Sequence, residues 1–281
     1  MDTMDRNEYI KHAENPVVLR ENAWVNSDGI SLAASLFIPP GSGPHPGLVL
    51  CHGMPVSSGV RSDMDHHSLS DSGYELDYAD LAEWCAWEGF ATVIFNFRGT
   101  GDSGGNFHHL GWTQDLDVII SWLREKPHVD LNRIFLIGSS LGAAVAIYVT
   151  AHRDDVAGLV SFASPSVMLA RHQPVEAVEK LRKLGVIRDA WFPESLEEWA
   201  NESEKISPAK WVGNVAPRPL LLLHGDADQV VPAENAHALF DLAGENKELL
   251  LLSGVGHRFR HEAIVMSKSL EWIKGEILFS R

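Results

Sequence analysis

The sequence predicts an α/β protein, with a mostly parallel sheet of about eight strands covered by helices on both faces. Three observations carry this reading. Short apolar runs, such as Leu48-Val49-Leu50-Cys51, Val93-Ile94-Phe95 and Leu220-Leu221-Leu222-Leu223, recur along the chain, as in strands buried on both faces. Stretches with helical spacing alternate with them. The pentapeptide Gly138-Ser139-Ser140-Leu141-Gly142 joins one such strand, Arg133 to Ile137, directly to a helix-forming run, Ala143 to Tyr148. Strand, G-x-S-x-G and helix in that order describe a nucleophile elbow.

The elements follow in order. Residues 1–22 read as polar and loosely held. Trp24-Val25 opens a strand, Asn26 to Gly29 turns, and Ile30 to Ile38 is the second strand of a hairpin. After a Pro/Gly loop, Gly47 to Cys51 is a buried strand ending at His52-Gly53-Met54-Pro55. The 56–77 segment is polar and irregular. Leu81, Ala82, Trp84, Cys85 and Trp87 mark a helix, and Ala91 to Phe95 a strand that runs into the glycine-rich loop Asn96 to Gly105. A helix is predicted over Gln114 to Lys126, then the elbow, then a strand at Gly158 to Phe162. Residues 165–212 interrupt the rhythm, with a helical stretch at Val175 to Leu184 followed by Trp191, Phe192, Trp199 and Trp211. The alternation resumes with a strand at Leu220 to Leu223, a helix at Ala233 to Leu242, a strand at Leu249 to Leu252 and a helix at His261 to Phe279. The expected organisation is one domain over 1–281, with a small helical cap inserted at 165–212.

Composition narrows the function. With 281 residues, 45% of them hydrophobic, the chain can bury a large single core. The net charge of −15 leaves no basic stripe for phosphates, so nucleic acid is not an expected partner. The two cysteines, Cys51 and Cys85, make no disulfide framework. The polar N-terminal residues carry no apolar signal core, and no stretch is long and apolar enough to span a bilayer. A reduced, cytoplasmic, non-membrane setting is the expectation, with a homodimer left open. Asp63, Asp65, His66 and His67 match no standard metal-ligand spacing and read as solvated loop. His108-His109 reads as a loop lining the site entrance, and Cys51 as core.

The elbow dictates the chemistry. Its turn is tight enough to strain the central serine. It aims that serine, Ser140, from a helix N-terminus where the dipole favours a developing anion; Ser139 points away. A serine hydroxyl is a weak nucleophile until a base takes its proton and an acid orients the base. In a parallel α/β sheet, function gathers at the carboxyl ends of the strands. Four such ends carry reactive residue types: His52-Gly53-Met54, Ser140, Asp226-Ala227-Asp228 and His257. The chain order is Ser, Asp, His.

These stretches resemble the α/β-hydrolase family. The match rests on His52-Gly53, the Arg98-Gly99-x-Gly101-x-Ser103 loop, the elbow, His224-Gly225-Asp226-Ala227-Asp228-Gln229-Val230-Val231-Pro232, and Gly254-Val255-Gly256-His257. Within the family the chain is most similar to small intracellular esterases and to catalytic domains of the prolyl-oligopeptidase type. The resemblance implies Ser140 as nucleophile, His257 as general base with His261 as its rival, and Asp228 as acid with Asp226 as its rival. Asp226 otherwise reads as a turn former, and His52 as a structural tie between loops. The resemblance implies an oxyanion hole from the N–H groups of Met54 and Leu141, and a cap lying above the nucleophile, with Trp191 and Phe192 as substrate contacts. The expected reaction is hydrolysis of a small-molecule acyl ester, with no cofactor and no metal. Amide, peptide or thioester cleavage is the alternative on the same site. An inactive binding protein on this fold is the alternative outside enzymes. Haloalkane dehalogenation needs a carboxylate where Ser140 stands.

Overall fold

The computed structural model describes residues 17–55, 78–168, 173–258 and 263–279. The expectations for the 56–77 loop, for Asp63, Asp65, His66 and His67, and for His261 lie outside them. Among the described residues, eight strands form one sheet in the order β1-β2-β4-β3-β5-β6-β7-β8. They are β1 (Leu19–Ser27), β2 (Ile30–Ile38), β3 (His45–Cys51), β4 (Ala91–Phe95), β5 (Val129–Ser139), β6 (Gly158–Phe162), β7 (Leu220–Gly225) and β8 (Lys247–Leu252). β1 pairs antiparallel with β2, and β2 with β4. The pairs from β4 through β3, β5, β6 and β7 to β8 are parallel.

The first strand begins at Leu19, five residues before the predicted Trp24, because its whole length finds partners, from Leu19 opposite Ile38 to Ser27 opposite Ile30. Asp28 and Gly29, both at positive φ, close the hairpin.

Period-two alternation divides the core in two. Val49, Val93, Leu136, Leu159 and Leu222 point to one layer; Leu48, Ile94, Ile137, Val160 and Leu223 point to the other. Helices α1 (Tyr78–Trp87) and α8 (Ala263–Phe279) cover the second layer. Helices α2 (His109–Arg124), α3 (Leu141–His152) and α7 (Glu234–Leu242) cover the first. Between β6 and β7 the chain forms α4 (Pro174–Lys183), α5 (Leu196–Lys205), the single turn α6 (Pro208–Trp211) and a 3-10 turn at Val212–Val215.

These inserted elements join the first layer through Val178, Leu181, Val186, Ile187, Trp199 and Ile206. They lock onto the glycine-rich loop. Arg188 donates to the carbonyls of Ser103 (2.7 Å) and Gly101 (2.8 Å), Phe107 N–H to Val186 O (2.8 Å), and Trp199 Nε1 to Phe107 O (3.2 Å). Gly99, at φ +79, is required there: a Cβ would sit 2.3 Å from Val186 O. Trp199 is thus a buried wedge between insertion and core.

Helix α2 starts at His109, not at the predicted Gln114. His108 is its N-cap, with Nδ1 3.2 Å from the Gly111 nitrogen, so the expected His108-His109 loop at the site entrance is corrected to a helix start. Glu202 of α5 accepts the Leu110 N–H (3.1 Å) and faces His108 Nδ1 (3.0 Å), while Arg98 donates to His108 Nε2 (3.0 Å). Burial acts to raise the Glu202 carboxyl, but the His108 hydrogen bond and charge, the Leu110 N–H and His109 outweigh it and hold it below 4.5. His109 is buried against Phe107 and Trp199. Burial pushes its imidazole down to about 4, against a partial counter-effect from Glu202.

Both shifts make the fold acid-sensitive. As pH falls from 6.5, the unfolded chain protonates His109 before the folded one does, so stability is lost down to about pH 4. Glu202 adds stability above pH 4.5 that disappears as pH drops through its folded value. His109→Phe should therefore lose about 3 kcal/mol less between pH 7 and pH 4 than the wild type in urea titrations. Equal losses in the two proteins would remove His109 as a cause.

Candidate active site

β5 enters the elbow and α3 leaves it. Ser140 sits at φ 53, ψ −121, a region that a non-glycine residue occupies only under constraint. The constraint is visible. Ser140 N–H donates to Phe162 O of β6 at 2.9 Å, and its carbonyl accepts from Ala143 and Ala144 N–H at 3.0 and 3.1 Å. A Cβ on Gly142 would stand 2.3 Å from His52 O, and one on Gly138 would stand 2.6 Å from Ala143 Cα. Both obstacles are backbone, so Gly142→Ala should lower stability by about 1–3 kcal/mol. Thermal melting checks this; an unchanged melting temperature would mean that the β3 end yields freely. Ser139 is the last residue of β5 and is buried.

The acid and base loops follow β7 and β8. Asp228 has a fully buried side chain. Its Oδ1 accepts the N–H groups of Val230 (2.8 Å) and Val231 (2.9 Å). Its Oδ2 lies 2.7 Å from His257 Nδ1, and His257 Nε2 lies 3.1 Å from Ser140 Oγ. A carboxylate only accepts, so Nδ1 carries the ring hydrogen and leaves Nε2 as acceptor for the serine hydroxyl. The structure thus brings Ser140, His257 and Asp228 into one hydrogen-bonded chain. Asp226 lies apart from it. It does more than shape its own turn, since its Oδ1 accepts the Gly254 N–H at 2.6 Å and so ties the loop that carries His257.

The end of β3 abuts the elbow: a Cβ on Gly53 would come 3.1 Å from Ser140 Cβ. His52 holds this turn. Its Nδ1 donates to Gly53 O at 2.7 Å, its Nε2 accepts the Phe97 N–H at 3.3 Å, and its ring packs edge-on against Phe97 and Trp112. Met54 comes next, and Leu141 is the first residue of α3, where N–H groups lack an intrahelical partner. Among the described residues, neither the Met54 nor the Leu141 N–H has an acceptor.

Trp191 is 64% exposed. Phe192 is half-buried, 6.1 Å from Trp191 and 6.0 Å from His108, ring to ring. Trp211 lies against Tyr148 and His152 on the surface of α3. One residue at the site received no role from the sequence. His224 stands beside Asp228, 3.4 Å from Oδ2. The signal was its place at the end of the leucine strand.

Comparison with known proteins bears on the family and the fold. A family model described as the prolyl oligopeptidase family matches residues 77–278, a span that holds Ser140, Asp228 and His257. Protein YfhR of Escherichia coli K12, described as uncharacterized, is 28% identical over 191 residues, covering 68% of this chain and 61% of its own. The chain therefore spans less than two thirds of that relative's length. Among solved structures, the α/β-hydrolase GrgF from a Penicillium species has a TM-score of 0.70 at 20% identity, covering 92% of this chain and 99% of its own. The acylaminoacyl peptidase of Pyrococcus horikoshii has a TM-score of 0.66 at 20% identity, covering 96% of this chain and 43% of its own. These likenesses establish the α/β-hydrolase fold.

Proposed function

The chain belongs to the prolyl oligopeptidase family, and from that premise we propose that it is a serine hydrolase that cleaves small-molecule carboxylic esters through an acyl-enzyme. The observation that carries the reading is the unbroken chain from Asp228 through His257 to Ser140, at 2.7 and 3.1 Å. In the proposed mechanism Ser140 Oγ attacks the ester carbonyl while His257 Nε2 takes its proton. Asp228 holds the ring and stabilises the imidazolium. The N–H groups of Leu141 and Met54 receive the oxyanion, a contribution of roughly 3–4 kcal/mol per donor. The tetrahedral intermediate collapses, His257 passes the proton to the leaving alcohol, and the acyl group remains on Ser140. A water molecule, deprotonated by the same nitrogen, then releases the acid and regenerates the serine.

Amide cleavage on the same site is the second reading. It is favoured by the family's name and by the likeness to an acylaminoacyl peptidase. Its leaving amine demands full protonation by His257, whereas an alkoxide departs more easily. No helix among the described residues is long and apolar enough to cross a membrane. Cys51 and Cys85 are free and buried, which supports a reduced cytoplasmic setting as part of this proposal.

We further assign the cap, with Trp191 and Phe192, to acyl-chain selection. The experiment measures kcat/KM across p-nitrophenyl esters of increasing acyl length, beside aminoacyl p-nitroanilides. The wild type should prefer short or medium uncharged acyl esters. Trp191→Ala and Phe192→Ala should move the preference toward longer chains by about 1–3 kcal/mol in relative kcat/KM. A uniform fall across all lengths would place the pocket elsewhere. Anilides cleaved faster than matched esters would replace the ester reading with the amide one.

A further inference from the structure

The acid of the proposed triad has a second imidazole at its back. His224 is the penultimate residue of β7 and is 1% exposed. Its Nε2 lies 2.8 Å from Val231 O and 3.4 Å from Asp228 Oδ2. A carbonyl accepts and cannot donate, so Nε2 carries the hydrogen. That N–H is directed at the turn holding the acid, with the Val231 carbonyl as its acceptor and Asp228 Oδ2 3.4 Å from the same nitrogen. The Asp228 carboxylate therefore meets three donors, Val230 and Val231 N–H on Oδ1 and His257 Nδ1 on Oδ2, with His224 Nε2 a further 3.4 Å neighbour of Oδ2. Among the described residues, the titratable groups within reach of it are the two imidazoles. Asp226, the nearest other carboxylate in sequence, is bonded to Gly254.

We propose that His224 is a positioning residue for the reaction, fixing the 228–231 turn through Val231 O and directing its N–H dipole at Asp228. This rests on the reading of Asp228 as the acid of a serine hydrolase. The carbonyl contact sets where the carboxylate stands. The dipole sets how strongly that carboxylate attracts the proton on His257. Losing the N–H has two consequences that plain loss of packing lacks. The carboxylate becomes less compensated, so the His257 imidazolium is favoured and the acid limb of the pH–rate profile moves to higher pH. The turn also loosens around the reacting groups rather than around the bound substrate, so kcat falls while KM holds.

Three substitutions separate the roles. His224→Leu removes the donor. His224→Gln can place an amide N–H near the Nε2 position, whereas the amide of His224→Asn reaches only the region of Nδ1. Each variant is titrated with a fluorophosphonate that labels the activated serine, so that rates refer to competent sites, and a p-nitrophenyl ester is then followed across pH. The expected result is a fall of kcat by about 3- to 10-fold in His224→Leu and His224→Asn, the size of one neutral hydrogen bond. Their acid limb should shift upward and KM should barely change, while His224→Gln recovers most of the rate and the wild-type profile. Equal loss in the Gln and Asn variants, or a fall in kcat with the acid limb unmoved in all three, would reduce His224 to packing and overturn the proposal. If His224→Leu does not fold, the contrast between Gln and Asn decides alone. Failure of the fluorophosphonate to label wild-type Ser140 would remove the hydrolase reading and this proposal with it. Normal labelling with an indifferent His224 would overturn this proposal only.

Discussion

Ser140→Ala should leave a folded protein whose turnover is lower by roughly ten-thousandfold to a millionfold. The substitution removes one oxygen from a residue whose backbone is held by Phe162, Ala143 and Ala144, so the elbow has no reason to collapse. What disappears is the hydroxyl that His257 Nε2 faces at 3.1 Å. Circular dichroism and thermal melting report the fold, and kcat/KM for a p-nitrophenyl ester reports the chemistry. The control is Ser139→Ala, one residue away at the buried end of β5, which should keep most of its activity. A dead Ser139→Ala beside an active Ser140→Ala would invert the assignment.

Asp228→Asn should cost on the order of ten-thousandfold in kcat, and His257→Ala about as much as loss of the serine, because groups that act in series fail together. An asparagine in place of Asp228 can offer its amide N–H to His257 Nδ1. The ring then keeps its hydrogen on Nε2, the nitrogen that must accept from Ser140. Asp226→Asn should be mild, since an amide oxygen can still accept the Gly254 N–H now bonded at 2.6 Å. The two aspartates thus separate by kind: one sets a tautomer, the other anchors a loop. Equal losses at both, measured as kcat on the same ester, would leave the acid unassigned.

Much of this was legible in the chain. The apolar runs at 48–51, 93–95, 159–160 and 220–223 announce strands buried on both faces, and the structure sends alternate members of each to the two layers. The elbow was readable because strand, G-x-S-x-G and helix follow one another directly; Gly138 answers crowding within the turn, at Ala143, whereas Gly142 answers the distant end of β3, at His52. The start of α2 was not. His108 becomes a cap only when Gly111 folds back onto it, and it is further held by Arg98 and by Glu202, the latter 94 residues away. The insertion was legible as an interruption, but not as a lock on the glycine-rich loop. That loop's Gly99 and Ser103 resemble a motif in sequence; only in space does Val186 O press on the one and Arg188 reach the carbonyl of the other.

By itself, the sequence determined the fold class, the elbow and the chain order of serine, aspartate and histidine, because periodicity and turn chemistry act over a few neighbouring residues. The tertiary structure decided which aspartate faces the histidine, that Asp226 holds Gly254, and that His224 stands behind Asp228. Those outcomes depend on hydrogen-bond geometry between loops after different strands. The parallel register of β7 and β8 sets that geometry, from Leu220 opposite Lys247 to Gly225 opposite Leu252, and no local pattern encodes it.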